Sequence, residues 1–262
     1  MKKYLLLCTA LTISSSAYAA LDCATPPTCD ELGYTMSSDD CAGQFMLKCP
    51  FDDTKLFCGG NKPAIECEIG SILYDDLKCY EGDPSIHTGK TPIAVVFDAT
   101  NKRAIGLTNA NLPWYSNSTT DLQAVSVATA DAALSASLTG NTSGNGSYCT
   151  TIYSTKNTGI TLLITYAPYY CYTLTYKGHS DWFLPSLREL SDIYDNKELV
   201  SSSRVKAGGT AIANGGYWSS TERTGTDSGG GYMAFTFYMG SNGTASYSAY
   251  QFNNYVSCAI SY

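Results

Sequence analysis

Asp181-Trp182-Phe183-Leu184-Pro185-Ser186 is followed by Glu189-Leu190 and then by Gly216-Tyr217-Trp218-Ser219-Ser220-Thr221-Glu222. Ser186 and Glu189 stand at capping-box spacing, so the Ser side chain can accept from the first-turn backbone while Glu reaches back. Leu187, Leu190, Ile193 and Tyr194 then fall on one apolar stripe. The spacing predicts a helix over residues 187–199, with Pro185 marking the turn into it.

Around this helix the pattern is that of strands. Residues 69–74, 92–98 and 103–107 read as short strands separated by turns, and so do 232–239, 245–252 and 255–260 near the C-terminus. In the first of the latter, Met233, Phe235, Phe237 and Met239 share one face, opposite Tyr232, Ala234, Thr236 and Tyr238. The apolar set is expected to face a core and the mixed set solvent. Residues 116–147, low in charge and rich in Ser, Thr, Ala, Asn and Gly, predict a long surface excursion with a weak helix at 121–138. Residues 148–177 leave two readings open, strand from their Thr, Tyr and Ile content, or a helix opening at Ala167-Pro168.

Residues 1–19 read as a secretory leader: Lys2 and Lys3, an apolar stretch from Leu5 to Ile13, and Ala17-Tyr18-Ala19 ahead of Ala20. Its removal from 262 residues leaves 243, and takes the formal net charge from -7 to -9 because Lys2 and Lys3 leave with no Asp or Glu. An acidic chain with no basic cluster predicts no nucleic acid or anionic membrane as partner. No later apolar run reaches the roughly 20 residues that span a bilayer. The expected location is therefore outside the cytoplasm, in the periplasm, on the cell surface or secreted.

Export governs the cysteines. Ten remain beyond Cys8, a number suited to five disulfides in an oxidising compartment. Cys23, Cys29, Cys41, Cys49, Cys58 and Cys67 cluster in residues 20–67, while Cys79, Cys149, Cys171 and Cys258 are spread over the rest. Residues 20–66, poor in aliphatic side chains and rich in turn formers, predict a small disulfide-rich module. No CxxC pair and no histidine in the cluster argue against zinc.

The tryptophan segments resemble the bacterial DUF1566 family, also called the Lcl C-terminal domain after a collagen-like adhesin. Its members carry a DWRLPT or DWYLPS segment followed by EL, a YWSST segment and a closing VRCV-like strand, matched here by Val256-Ser257-Cys258-Ala259. The segments beginning at Ile69 and Pro92 resemble the start of such domains, so the resemblance spans residues 67–262. It implies a C-type lectin-like fold, α+β, with two helices and a twisted antiparallel sheet. It also implies a Cys171–Cys258 bridge, leaving Cys79 and Cys149 for each other, and structural roles for Trp182, Pro185, Glu189 and Trp218. Ser257 and Ala259 flank the cysteine where the family often has Arg.

The chemistry points away from catalysis. Two histidines leave little for a histidine-based mechanism, no GxSxG elbow occurs, and Pro84 stands where a phosphate loop ending in Gly89-Lys90-Thr91 needs glycine. Glu222 and Asp227 are too few carboxylates for calcium, and the sugar-binding Glu-Pro-Asn and Trp-Asn-Asp signatures are missing. No cofactor or metal is implied. Between Gly216 and Tyr262 there are seven tyrosines among many Ser, Asn and Gly, the composition of paratopes. The expected ligand surface, for a glycan or protein, comprises Tyr232, Tyr238, Tyr247, Tyr250, Asn253 and Asn254. The expected function is adhesion or recognition, with the binding surface a candidate for retroelement diversification. The rival readings are a structural envelope or appendage component, and an enzyme of the formylglycine-generating type, which needs a reactive cysteine pair.

Overall fold

The computed structural model describes residues 64–87, 89–138 and 143–262, with three short strands ahead of them: β1 (Met36–Ser37), β2 (Met46–Lys48) and β3 (Lys55–Cys58). The leader at 1–19 and the bridge pattern of the cysteine-rich module lie outside the described residues. The chain divides into two compact units, Met1–Lys62 and Pro63–Tyr262. In the first, β1, β3 and β2 form an antiparallel sheet in that order.

The second unit is α+β and mostly sheet. Its strands are β4 (Ala64–Ile65), β5 (Ile72–Tyr74), β6 (Cys79–Tyr80), β7 (Pro92–Asp98), β8 (Arg103–Gly106), β9 (Ala110–Pro113), β10 (Ser126–Val127), β11 (Gly216–Thr226), β12 (Tyr232–Tyr238), β13 (Thr244–Ala249), β14 (Asn253–Val256) and β15 (Ala259–Ser261). Its helices are α1 (Ala130–Ser135), α2 (Gly146–Lys156), α3 (Ala167–Thr173), α4 (Leu187–Asp195) and α5 (Lys197–Lys206). One sheet runs β13-β12-β11-β14-β9 with β10 also on β11, and the other runs β15-β8-β7-β5-β6-β4. The stretch expected as one strand at 255–260 is divided between them: β14 ends at Val256 and β15 begins at Ala259.

The capping box forms. Ser186 accepts from Glu189 N, and the Glu189 carboxylate accepts from Ser186 N. The helix it starts is shorter than expected, because Asn196 leaves helical geometry (φ -114, ψ 17) and donates its backbone N–H to Ile193 O. A second helix, α5, then continues to Lys206, with Arg204 and Lys206 in its last turn where cations are favoured. Helix α4 packs against β7, β11 and β12, so its apolar stripe touches both sheets.

Two further expectations are corrected, and the open reading of residues 148–177 is decided for helix. The 121–138 helix reduces to Ala130–Ser135, capped by Thr129, because Ser, Thr and Val at 125–129 lead into strand β10 instead. Residues 116–147 are not merely superficial: Leu122 and Ala133 are buried, and Ser143 is too. Residues 148–177 hold helices, not strand. Asn145 caps α2, and Pro168 in the first turn of α3 presets its backbone.

The mixed face of β12 is also not solvated at its centre. Ala234 and Thr236 are buried, since the β11–β12 region is covered on both sides. One core gathers Trp114, Trp182, Trp218, Tyr153, Tyr250 and Ala234; the other gathers Phe183, Leu187, Leu190, Ile193, Phe235 and Phe237.

Candidate binding groove

The joint between α4 and α5 faces the β12–β13 turn across an open groove of about 710 Å³. That is within the range of ligand sites, about 300–1,000 Å³. Tyr194, Asp195, Asn196, Lys197 and Glu198 line one side, and Asn214, Gly240 and Ser241 the other. The break at Asn196 that shortens α4 therefore creates one wall of the groove. Tyr194 donates its hydroxyl to Ser241 O at 3.2 Å and rests its ring on Phe237 at 5.6 Å. A Cβ at Gly243 would run into that ring and one at Gly240 into the ring of Tyr238, so glycine at both places lets aromatic faces lie on the turn.

The electrostatics of the groove are uneven. Lys197 Nζ is held by Asn214 Oδ1 and by Met239 O, each at 2.6 Å, so its charge is fixed by neutral oxygens. Asp195 and Glu198 are exposed, and their carboxylates make no hydrogen bond or ion pair with another described residue. With the Asn196 and Asn214 amides and the Ser241 hydroxyl, the groove offers donors and acceptors in quantity beside two aromatic rings. A polyol or a polar peptide loop is bound by that kind of surface.

The six expected contact residues do not form one patch. Tyr250 is fully buried. Its ring stacks on Trp114, and its hydroxyl donates to the carboxylate of Glu222. Tyr232 is half-buried and stacks on Tyr250 at 6.3 Å. Tyr247 opposes Phe235 across β12–β13 and so lies on the apolar face, opposite to Tyr238, which opposes Thr244. Asn253 is exposed and Asn254 half-buried on β14, which is separated from β13 by β12 and β11. None of the six lines the groove, though the ring of Tyr238, 45% exposed, lies against Gly240 of its wall. In sequence Tyr194 reads as part of the apolar stripe and residues 195–198 as the exposed side of the same helix; the signal for the groove is Asn196, a poor helix former at mid-pattern.

Trp182 and Trp218 are buried, and their indole N–H groups donate to His179 O and Leu112 O at 3.2 and 2.9 Å. Glu189 ties three segments together. One carboxylate oxygen accepts from Gly146 N and Ser186 N at 2.9 and 2.8 Å, and the other lies 3.7 Å from Arg103 Nε. Burial pushes its carboxyl up to about 7, against the pull of those donors and the guanidinium. The turn at Pro185 accepts from Ser220 N at 2.8 Å, fastening the YWSST strand to the helix entry.

Cys171 and Cys258 are bridged. Cys79 is not joined to Cys149 but to Cys67, because β4 and β6 pair Ile65 with Cys79 and bring Cys67 alongside. Cys67 thus belongs with the second unit, and the even division of cysteines at residue 67 does not hold. Cys149 is a buried thiol on α2, pushed up to about 12 by burial and by the nearby Glu189 carboxylate. Such a thiol is the reverse of a nucleophile.

No family model, curated protein or solved structure matches the chain.

Among the described residues no group of three or more His, Cys, Asp or Glu is placed to hold a metal. Glu222 is buried under Tyr250, while Asp227 accepts from Gly229 N and Gly231 N and shapes the β11–β12 turn. No helix among the described residues is long and apolar enough to cross a membrane. A smaller cavity of about 110 Å³, lined by Ile93, Tyr170, Leu174, Trp182, Val256 and Cys258, is below the usual size of a ligand site.

Proposed function

We propose that this is an exported, non-enzymatic recognition protein of the DUF1566 type, carrying a C-type lectin-like domain behind a cysteine-rich module. It works in adhesion or recognition of a glycan or a protein at a cell surface. The observation that carries the reading is the groove between the α4–α5 joint and the β12–β13 turn. Its fixed ammonium, loose carboxylates, amides and hydroxyl stand beside Tyr194, with the Tyr238 ring against Gly240 of the wall, and the combination suits hydroxyl-rich ligands. The leader-like residues 1–19, the disulfides and the tryptophan segments support export and the family resemblance. The buried thiol of Cys149 gives no support to a formylglycine-type enzyme.

The test is a glycan array and a panel of whole cells probed with the processed chain. The reading expects saturable binding that Ser241→Trp abolishes by filling the groove, with Tm unchanged. Binding that survives Ser241→Trp in a folded protein moves the site elsewhere. No binding on either panel favours the structural envelope role.

A further inference from the structure

We infer that the β13 edge joins the same edge of a second copy of this chain, making one continuous sheet across a symmetric dimer. An edge strand presents a row of unused N–H and C=O groups, and proteins ordinarily keep such edges short, charged, bulged or covered. Three sheet edges here are short: β4 has two residues, β15 three, and β9 four with Pro113 at its end. β13 differs. It runs six residues, Thr244–Ala249, in unbroken register with β12, and no other described strand pairs with its outer side.

The edge also lacks chemical protection. Residues 228–262 contain no Asp, Glu, Lys, Arg or His, and β13 itself has no proline. Tyr247 on the strand is 51% exposed and Phe252 just beyond it 59% exposed. The guanidinium of Arg223 lies 4.4 Å from the centre of the Tyr247 ring. Exposed aromatics beside an arginine are the composition in which interface energy concentrates.

Charge selects the occupant. The formal net charge is -7, so two copies repel over most approaches, but not along this uncharged stretch. Backbone pairing gives affinity to an added strand, and two-fold symmetry lets the same edge serve both copies. Opposed residues must share a sheet face, and Ser246 lies on the Thr236 face while Tyr247 lies on the Phe235 face. With Ser246 at the axis, Tyr247 meets Ala245 of the second copy and Ser248 meets Thr244. Every such pair is uncharged, and the two Arg223 side chains, each over its own Tyr247, stay apart. The dimer also carries two grooves, which adds avidity on a ligand-coated surface.

Sedimentation velocity of the processed full chain over a range of concentrations tests this. The parent is expected to show a monomer–dimer equilibrium. Ser246→Lys and Ser246→Asp, each placing like charges at the axis, are expected to raise the dimer Kd about fivefold or more. Their equimolar mixture is expected to recover the parent's association, a result no folding defect produces. A parent that stays monomeric at all concentrations overturns the inference whatever the variants do. So do charged variants that dimerise like the parent, or losses that the mixture fails to recover.

Discussion

Tyr250 lies stacked on Trp114, ring centroids 4.6 Å apart and planes 26° from parallel, and its hydroxyl donates to Glu222 inside the protein. Trp114 is pinned in turn: its indole N–H donates to Ser219 O, and its carbonyl accepts from Tyr153. Tyr250 is therefore a core residue, and truncating it is a stability experiment. Tyr250→Ala is expected to cost about 3–5 kcal/mol, as for other buried aromatics. Tyr250→Phe keeps the stack but removes the donor to a buried carboxylate, costing about 1–3 kcal/mol. Urea denaturation checks both, and an unchanged midpoint for Tyr250→Ala contradicts the packing.

The carboxylate beneath that hydroxyl sets a pH dependence. Burial raises Glu222 from 4.5 to about 7, although the Tyr250 hydroxyl pulls it down. A raised folded pKa means that the neutral form is the one the fold prefers. Its contribution is complete below about 4.5 and is lost as pH rises through about 7. Stability is expected to fall between pH 5 and pH 8, by up to about 3 kcal/mol from this group. Glu222→Gln still accepts from Tyr250 and should show a smaller fall, the remainder coming from Glu189, which is shifted the same way. Equal falls in parent and variant, read from Tm at the two pH values, would remove Glu222 as the cause.

The two bridges differ in the loops they close. Cys171–Cys258 spans 87 residues and Cys67–Cys79 spans 12. On chain entropy alone, losing the first costs about 4–5 kcal/mol and the second about 3 kcal/mol. Non-reducing peptide mapping should recover both links and an alkylatable Cys149 after denaturation. A peptide joining Cys79 to Cys149 would contradict the assignment.

Much of the scaffold was legible because local signals agree with it. The Ser186–Glu189 capping box, the apolar stripe of α4 and the run Pro92–Asp98 each specify their element within a few residues. What failed was whatever depends on the second layer. Alternation along β12 correctly pairs Met233 with Phe235 and Phe237, but period-two pattern says nothing of what covers the other face, where Ala234 and Thr236 are buried. Tyr250 has the composition of a contact residue and the environment of a core residue; only Trp114, 136 positions upstream, distinguishes the two. Cys67 pairs across what reads as a module boundary because the two-residue strand β4 is too short to see in sequence.

Trp182 and Trp218 carry the resemblance and also the packing. Each is buried with its indole N–H bonded to a carbonyl. Either Trp→Ala change is expected to cost about 3–5 kcal/mol. A Trp218→Ala protein with the parent's Tm and no ligand binding would make that residue a contact instead.

The central claim is that ligand is held at the groove and not along the exposed strand face. The ring of Tyr238 lies against Gly240 of the groove wall, whereas Tyr247 pairs with Phe235 in mid-strand and is not among the lining residues, so the two separate the possibilities. The measurement is the dissociation constant of the best array ligand for the parent, Tyr238→Ala and Tyr247→Ala by titration calorimetry. Tyr238→Ala should weaken binding by about 2 kcal/mol, roughly thirtyfold, and Tyr247→Ala should leave it within about twofold of the parent. The opposite ranking, with Tyr247→Ala the damaging change and Tyr238→Ala neutral, would contradict the account.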